Sequence, residues 1–163
     1  MRAIAEGTLL WEPPEEVKRR ANLTGYMDWL GEERGLVFPS YPELWRWSVT
    51  DLEAFWGSIW DYFDIKASKG YANVLTGRDM PGANWFEGAE LNYAEHVFRN
   101  MSSERPAMLY KVEGGGLGEI TWQELYDKTR AVASFLKGLG VKRGDRVVAY
   151  MPHIPETIIA FLA

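Results

Sequence analysis

The densest run of permissive backbone is Gly114-Gly115-Gly116-Leu117-Gly118, where bare amides could converge on an anion such as a phosphate. Its context argues against that chemistry. No Lys-Ser or Lys-Thr follows, no helix start stands directly after it, and Glu113 and Glu119 would repel a phosphate. The flanking runs, Ala107-Met108-Leu109-Tyr110-Lys111 and Glu119-Ile120, read instead as two strands joined across a glycine-rich hairpin loop. His96 and His153 are the only histidines, and neither has the His-Glu-x-x-His spacing of a zinc site. His153 falls at a strand-to-helix turn, where open α/β sheets often place ligand contacts. The absence of cysteine removes thiolate ligands and thiol nucleophiles, and the absence of a Gly-x-Ser-x-Gly elbow removes that serine-hydrolase reading. Arg143-Gly144-Asp145 matches an adhesion tripeptide, yet glycine and aspartate are ordinary turn residues and here join a helix to a strand. No catalytic, cofactor-binding or metal-ligating residue is assigned from these patterns.

The elements that would position such groups are clearest towards the C-terminus. Thr121-Trp122-Gln123-Glu124 has the spacing of a capping box, with a hydroxyl three residues before a carboxylate. Trp122, Leu125, Val132, Leu136 and Leu139 then recur at helical spacing, with an interruption near Thr129, and Gly140 supplies a left-handed stop. After the turn at Lys142 to Asp145, Arg146-Val147-Val148-Ala149-Tyr150-Met151 reads as a buried parallel strand. Pro155 and Glu156 suit the first turn of another helix, which is apolar nearly all round through Ile158, Ile159, Phe161 and Leu162. The segment from Ile120 to Ala163 thus reads as a strand-helix-strand-helix repeat interrupted inside its last helix, with an apolar surface open to self-association.

Composition bounds the function. With 163 residues, 47% of them hydrophobic, the chain is long and apolar enough for a genuine core. Its 18 basic and 23 acidic residues leave a net charge of −5 and no basic stripe to follow a nucleic-acid backbone. Met1 to Gly7 lacks the apolar centre of a signal peptide, and no run approaches the roughly 20 residues that span a bilayer. The reading is a cytoplasmic protein with neither nucleic acid nor membrane as partner.

From Leu10 to Phe98 the chain reads as helical and rich in aromatic residues. Pro13-Pro14-Glu15-Glu16 suits a helix start, and Leu23, Tyr26, Met27 and Leu30 form an apolar stripe with Asn22 as a cap and Gly35 as a stop. Thr50-Asp51-Leu52-Glu53 reads as a second capping box, before Leu52, Phe55, Trp56, Ile59, Trp60 and Phe63 at three and four spacing. Such a stripe needs a substantial partner, for which the α/β unit is available. Aromatic rings at helical spacing are core more readily than a stacking platform, and Asp51, Glu53, Asp61 and Asp64 do not suit single-stranded nucleic acid. Turn formers between Lys66 and Gly88 predict irregular backbone, followed by a short helix from Leu91 to Phe98.

Three matched stretches carry a family resemblance: Ile120 to Leu125, Gly140 to Val147, and Tyr150-Met151-Pro152-His153-Ile154-Pro155-Glu156. Together they resemble the opening of the large domain of acyl-CoA synthetases, members of the adenylate-forming superfamily. Leu10-Trp11-Glu12-Pro13, Leu44 to Val49, Phe55-Trp56 and Trp85 to Asn92 are similar to the helical extension of the branch that activates acetate, propionate or acetoacetate. Phe63-Asp64-Ile65 and Met80-Pro81-Gly82-Ala83 favour its acetoacetate-activating members.

The resemblance implies a mixed α/β fold, with an aromatic-rich helical extension over residues 1–104 packed on the incomplete start of the AMP-forming α/β domain over 105–163. It also implies a two-step reaction. A carboxylate attacks the α-phosphorus of ATP to give an acyl-adenylate and pyrophosphate, and the coenzyme A thiol then displaces AMP, with Mg2+ and cationic groups stabilising phosphate charge. The implied cofactors are ATP, Mg2+ and coenzyme A, and the implied substrate is acetoacetate or another short carboxylic acid. In the family, the phosphate loop, the ribose-binding acid and the adenylation lysine follow the matched region, so the resemblance assigns none of them here. The expectation is therefore the N-terminal part of a ligase, inactive alone and binding none of these cofactors specifically. The alternatives are the acetate- or propionate-activating members, or a freestanding interaction or ligand-binding module.

Overall fold

The computed structural model describes residues 5–163. Met1 to Ile4, part of the stretch read above as lacking an apolar leader, lie outside the described residues. The fold mixes helices with two separate two-stranded antiparallel sheets. It divides into two compact units, one covering the chain up to Ile65 with Lys69–Ala89, the other covering Lys66–Ser68 with Glu90–Ala163.

The first unit begins with α1 (Glu15–Arg20), whose first turn holds Glu15 and Glu16 and whose last turn holds Lys18, Arg19 and Arg20. That order complements the helix dipole at both ends. Helix α2 (Asn22–Arg34) starts without a side-chain cap, because Ala21 rather than Asn22 holds the cap position. It stops at Gly35, whose φ of 66° lets the amide of Leu36 return to the Leu30 carbonyl at 3.1 Å. Helix α3 (Tyr41–Thr50) and helix α4 (Leu52–Tyr62) share Asp51 as the junction residue. The expected Thr50 capping box is not formed. Helix α3 continues through Thr50, whose hydroxyl donates to the Arg46 carbonyl at 2.8 Å, and the Asp51 carboxylate accepts from the Ala54 amide at 3.1 Å. A carboxylate one residue later caps the helix instead, taking the Ala54 amide where Thr50 would have taken that of Glu53.

Tyr26, Leu30 and Leu44 form the buried centre of this unit, with Phe55, Ile59 and Tyr62 of α4 packed against it. The partner of the α4 stripe therefore comes from its own unit, where sequence reading had offered the α/β half. One side of α4 meets α2 and α3. The other meets a hairpin of β1 (Asn73–Thr76) and β2 (Asn84–Glu87), paired with Leu75 opposite Trp85. Trp56 stands edge-on to Trp85 at 5.6 Å, and Trp60 lies 4.8 Å from Phe86 and 5.0 Å from Tyr71. The two elements lie close at Gly57, where even an added Cβ would be in van der Waals contact with Val74 Cγ2 at 3.4 Å. This hairpin corrects the expectation of irregular backbone between residues 66 and 88. Its turn formers, including Gly77 and Gly82 at positive φ, are concentrated in the connection between two short strands.

The second unit carries α5 (Tyr93–Phe98), capped by Asn92 through the Glu95 amide at 3.1 Å. Strands β3 (Met108–Lys111) and β4 (Leu117–Ile120) form the expected antiparallel hairpin, with Tyr110 opposite Gly118 and Lys111 opposite Leu117. Helix α6 (Trp122–Gly138) starts on a complete capping box between Thr121 and Glu124. It ends in a Schellman arrangement: Gly140, with φ of 89°, donates to the Lys137 carbonyl and Val141 to that of Leu136. Helix α7 (Pro155–Leu162) begins on proline as the sequence predicts. Ile120, Leu125, Ile159 and Leu162 form the core here, each large side chain contributing about 1.5 to 3 kcal/mol on full burial. Helix α7 is thus partly covered, and Phe161 is left 72% exposed.

The predicted strand at Arg146 to Met151 is absent. These residues join no ladder, and Val147, Val148 and Tyr150 are exposed. A parallel strand exists only through a partner distant in sequence, and none is present among the described residues.

Candidate functional site

The glycine-rich segment resolves as hairpin geometry. Gly114 takes φ of 72° at the turn, and the Gly115 amide donates to the Val112 carbonyl at 3.0 Å. Gly118 is required for packing: a Cβ there would come within 2.6 Å of the Tyr110 ring, which lies across it from the paired strand. The glycines therefore serve the β3–β4 pairing, and their flanking Glu113 and Glu119 keep the loop unsuited to phosphate.

The two histidines take different places. His96, on α5, uses Nε2 against the backbone of Lys66, 2.9 Å from its carbonyl oxygen and 3.2 Å from its amide nitrogen. One tautomer donates to the carbonyl and the other accepts from the amide, so in either form the ring ties residues 66–68 to α5. Ser68 strengthens that tie by donating its amide to the Glu90 carbonyl at 2.9 Å. His153 is exposed in the bend before α7. The neighbouring Pro152 carbonyl accepts from the Ile154 amide at 2.9 Å and the Thr157 hydroxyl at 2.6 Å, which fixes the bend without help from the imidazole. Arg143-Gly144-Asp145 forms the expected turn, with the Asp145 carboxylate accepting from the Lys142 amide at 2.7 Å and Gly144 at φ of 95°. No group of three or more His, Asp or Glu side chains converges as a metal site among the described residues.

The concave surfaces lie within single units. In the first, a cleft of about 430 Å³ is lined by Tyr26, Leu44 and Phe55 at depth and by Tyr41, Trp45 and Phe63 nearer its mouth. Tyr26 is held there by a 2.6 Å bond to Ser58, which itself donates to the Phe55 carbonyl at 2.7 Å. Burial pushes the Tyr26 phenol above its ordinary range, partly opposed by that serine, so it remains neutral and acts as a positioned donor. In the second unit, a groove of about 600 Å³ runs between α6 and α7, lined by Leu136, Val141, Val147, Ala149 and Phe161. A hollow of about 610 Å³ lies at the start of α6, bordered by Glu104, Arg105 and Glu119. There Glu124 accepts from the Thr121 amide and hydroxyl, both at 3.0 Å. These bonds hold its carboxyl below the ordinary carboxylate range, so the helix terminus already carries its anion.

Two of these surfaces are apolar, and the third mixes polar with apolar lining and includes Trp122, whose buried Nε1 has no hydrogen-bond partner among the described residues. They can bury hydrophobic surface or support a neighbouring element, but no nucleophile, base and oxyanion donor converge in them. Sequence reading overlooked Asp51 as the α4 cap and the His96 clamp. Asp51 was legible, since aspartate is as good a cap as threonine, whereas the His96 contact joins residues 30 positions apart and left no local pattern.

Comparison with known proteins supplies what the local geometry does not. Residues 41–97 match the family model described as acetyl-coenzyme A synthetase N-terminus, and residues 95–163 match that of AMP-binding enzyme. An acetoacetyl-coenzyme A synthetase of Rhizobium meliloti (strain 1021) is 34% identical, covering 94% of this chain and 24% of that protein. The acetoacetyl-CoA synthetase of Macaca fascicularis is 33% identical over 98% of this chain and 24% of its own length. The solved structure of acetoacetyl-CoA synthetase from Streptomyces lividans superposes with a TM-score of 0.85 at 41% identity, covering 94% of this chain and 24% of that one. The chain spans about a quarter of the length of the relatives it matches. With both halves matched in order, the chain is similar in sequence and fold to the N-terminal part of acetoacetyl-CoA synthetases.

Proposed function

We propose that this chain is the N-terminal part of an ATP-dependent, AMP-forming acid-thiol ligase that activates acetoacetate and transfers it to coenzyme A. The observation that carries the reading is the match to the Streptomyces lividans synthetase at 41% identity across 94% of the chain. Acetate- and propionate-activating ligases stand next, since the model matched over residues 41–97 bears the name of acetyl-coenzyme A synthetase. The helical extension is assigned to residues 1–104 and the start of the AMP-forming domain to 105–163. A cytoplasmic location suits this reading, and none of the described helices is long and apolar enough to cross a membrane.

In this reading none of the described residues is assigned to ATP, Mg2+ or coenzyme A. The glycine loop closes a hairpin, the α6 terminus is filled by Glu124, and no acidic cluster converges. Their contribution to the ligase is structural: α4 joins α2 and α3 to the β1–β2 hairpin, and the β3–β4 hairpin positions α6 and α7 through Ile120. The reading expects the chain alone to be inactive. The test is acid-dependent ATP-pyrophosphate exchange by the longest natural protein containing this sequence, assayed with acetoacetate, acetate and propionate. The highest kcat/KM is expected with acetoacetate. A preference for either other acid would move the assignment within the branch, and no exchange with any of the three would overturn it.

A further inference from the structure

Residues 66–68 fold with the second unit although the chain on either side of them folds with the first. Two fastenings hold them, both on one short stretch. Asn92 caps α5 through the Glu95 amide, which sets the Glu90 carbonyl just before the helix and the His96 ring one turn inside it. The Glu90 carboxylate is tied in turn to Arg143, whose Nη1 and Nη2 each stand 3.4 Å from one of its oxygens. Against these anchored points, His96 Nε2 meets the backbone of Lys66, and the Glu90 carbonyl accepts from the Ser68 amide at 2.9 Å and hydroxyl at 3.2 Å. Lys66 and Ser68 are exposed, with Ala67 between them half-buried.

We infer that residues 66–68 are a detachable strap that opens and closes as one piece, with His96 as its catch. A segment of three residues has no regular structure of its own to fall back on, so when one end lets go the other must bear the ordering of the whole piece. Each exposed hydrogen bond adds little net stability, whereas α5 and α6 keep their own caps and core without the strap. Opening is therefore a local event that leaves the rest of the unit folded. The imidazole suits a catch, because Nε2 can donate to the Lys66 carbonyl or accept from its amide and so holds the same residue in either tautomer. When the strap opens, roughly 10 Å of extended chain is released within the connection from α4 to β1.

Hydrogen exchange resolved to single amides, on the longest natural protein containing this sequence, tests the strap. The Lys66 and Ser68 amides are expected to exchange through an opening that is indifferent to mild urea, while α6 stays protected. His96→Leu should speed exchange at both amides by about three- to tenfold, as the loss of one hydrogen bond implies, and leave α6 unchanged. The Ser68 amide is decisive, since its acceptor is Glu90 and it responds to His96 only if the strap moves as a piece. His96→Gln, whose side-chain amide reaches about as far as Nε2, should restore most of the protection. Ser68→Ala leaves the catch in place and should speed exchange at Lys66. A Ser68 amide indifferent to His96→Leu, an equal acceleration throughout α6, a Lys66 amide indifferent to Ser68→Ala, or no rescue by His96→Gln would overturn the inference.

Discussion

Thr121 spends its hydroxyl twice, accepting from the Glu124 amide at 3.2 Å and donating to the Glu124 carboxylate at 3.0 Å. Removing it by Thr121→Ala should cost about 1 kcal/mol in thermal or urea unfolding. The same pair makes stability depend on acid. Glu124 has a folded pKa below its ordinary value of 4.5, chiefly through the Thr121 amide and then its hydroxyl. Its stabilisation is therefore fully present above pH 4.5 and fades as pH falls through the lower folded value. Glu124→Gln keeps the reach without the titration, so the stability difference between wild type and this variant should shrink on acidification below pH 4.5. A difference that grows below that pH would contradict the assignment. The box was legible because its two members lie three residues apart. The Thr50 box was misread for a related reason, since Asp51 offers an equally good acceptor one residue on and the α3 backbone continues past Thr50.

At the scale of elements, α6 shows how periodicity can succeed while hiding a defect. Its apolar stripe breaks at Thr129, which the structure places 5% exposed with Oγ1 lacking a hydrogen-bond partner among the described residues. An unsatisfied buried hydroxyl costs about 1 to 3 kcal/mol, whereas valine offers nearly the same shape without the demand. Thr129→Val should therefore raise the midpoint of urea unfolding without changing the slope, and a lowered midpoint would mean the hydroxyl is satisfied in solution. Local signals of this kind made α4, α6 and the β3–β4 hairpin readable, because caps, stops and hairpin turns act over a few residues. The β1–β2 hairpin escaped because each strand has four residues and derives its order from Trp56 and Trp60 of a preceding helix. Residues 146–151 failed in the opposite sense. Their composition is that of a strand, but a ladder is a property of two segments, and the second is absent among the described residues.

For the whole molecule, the sequence carried the family more clearly than any site. Stretches such as Trp85 to Asn92 and Tyr150 to Glu156 preserve packing and turn geometry, which is why they are recognisable without a catalytic residue among them. The conspicuous side chains of the described residues are cores, caps and clamps, from Leu30 to His96. In the proposed ligase, chemistry is a property of the whole protein, of whose relatives this chain spans about a quarter. The most direct test joins this chain to the remaining three quarters of the Streptomyces lividans synthetase and measures acetoacetate-dependent ATP-pyrophosphate exchange beside the 163-residue chain alone. Exchange by the joined protein and none by the chain alone is the predicted result. Exchange by the chain alone, or a folded joined protein without acetoacetate-dependent exchange, would contradict the account.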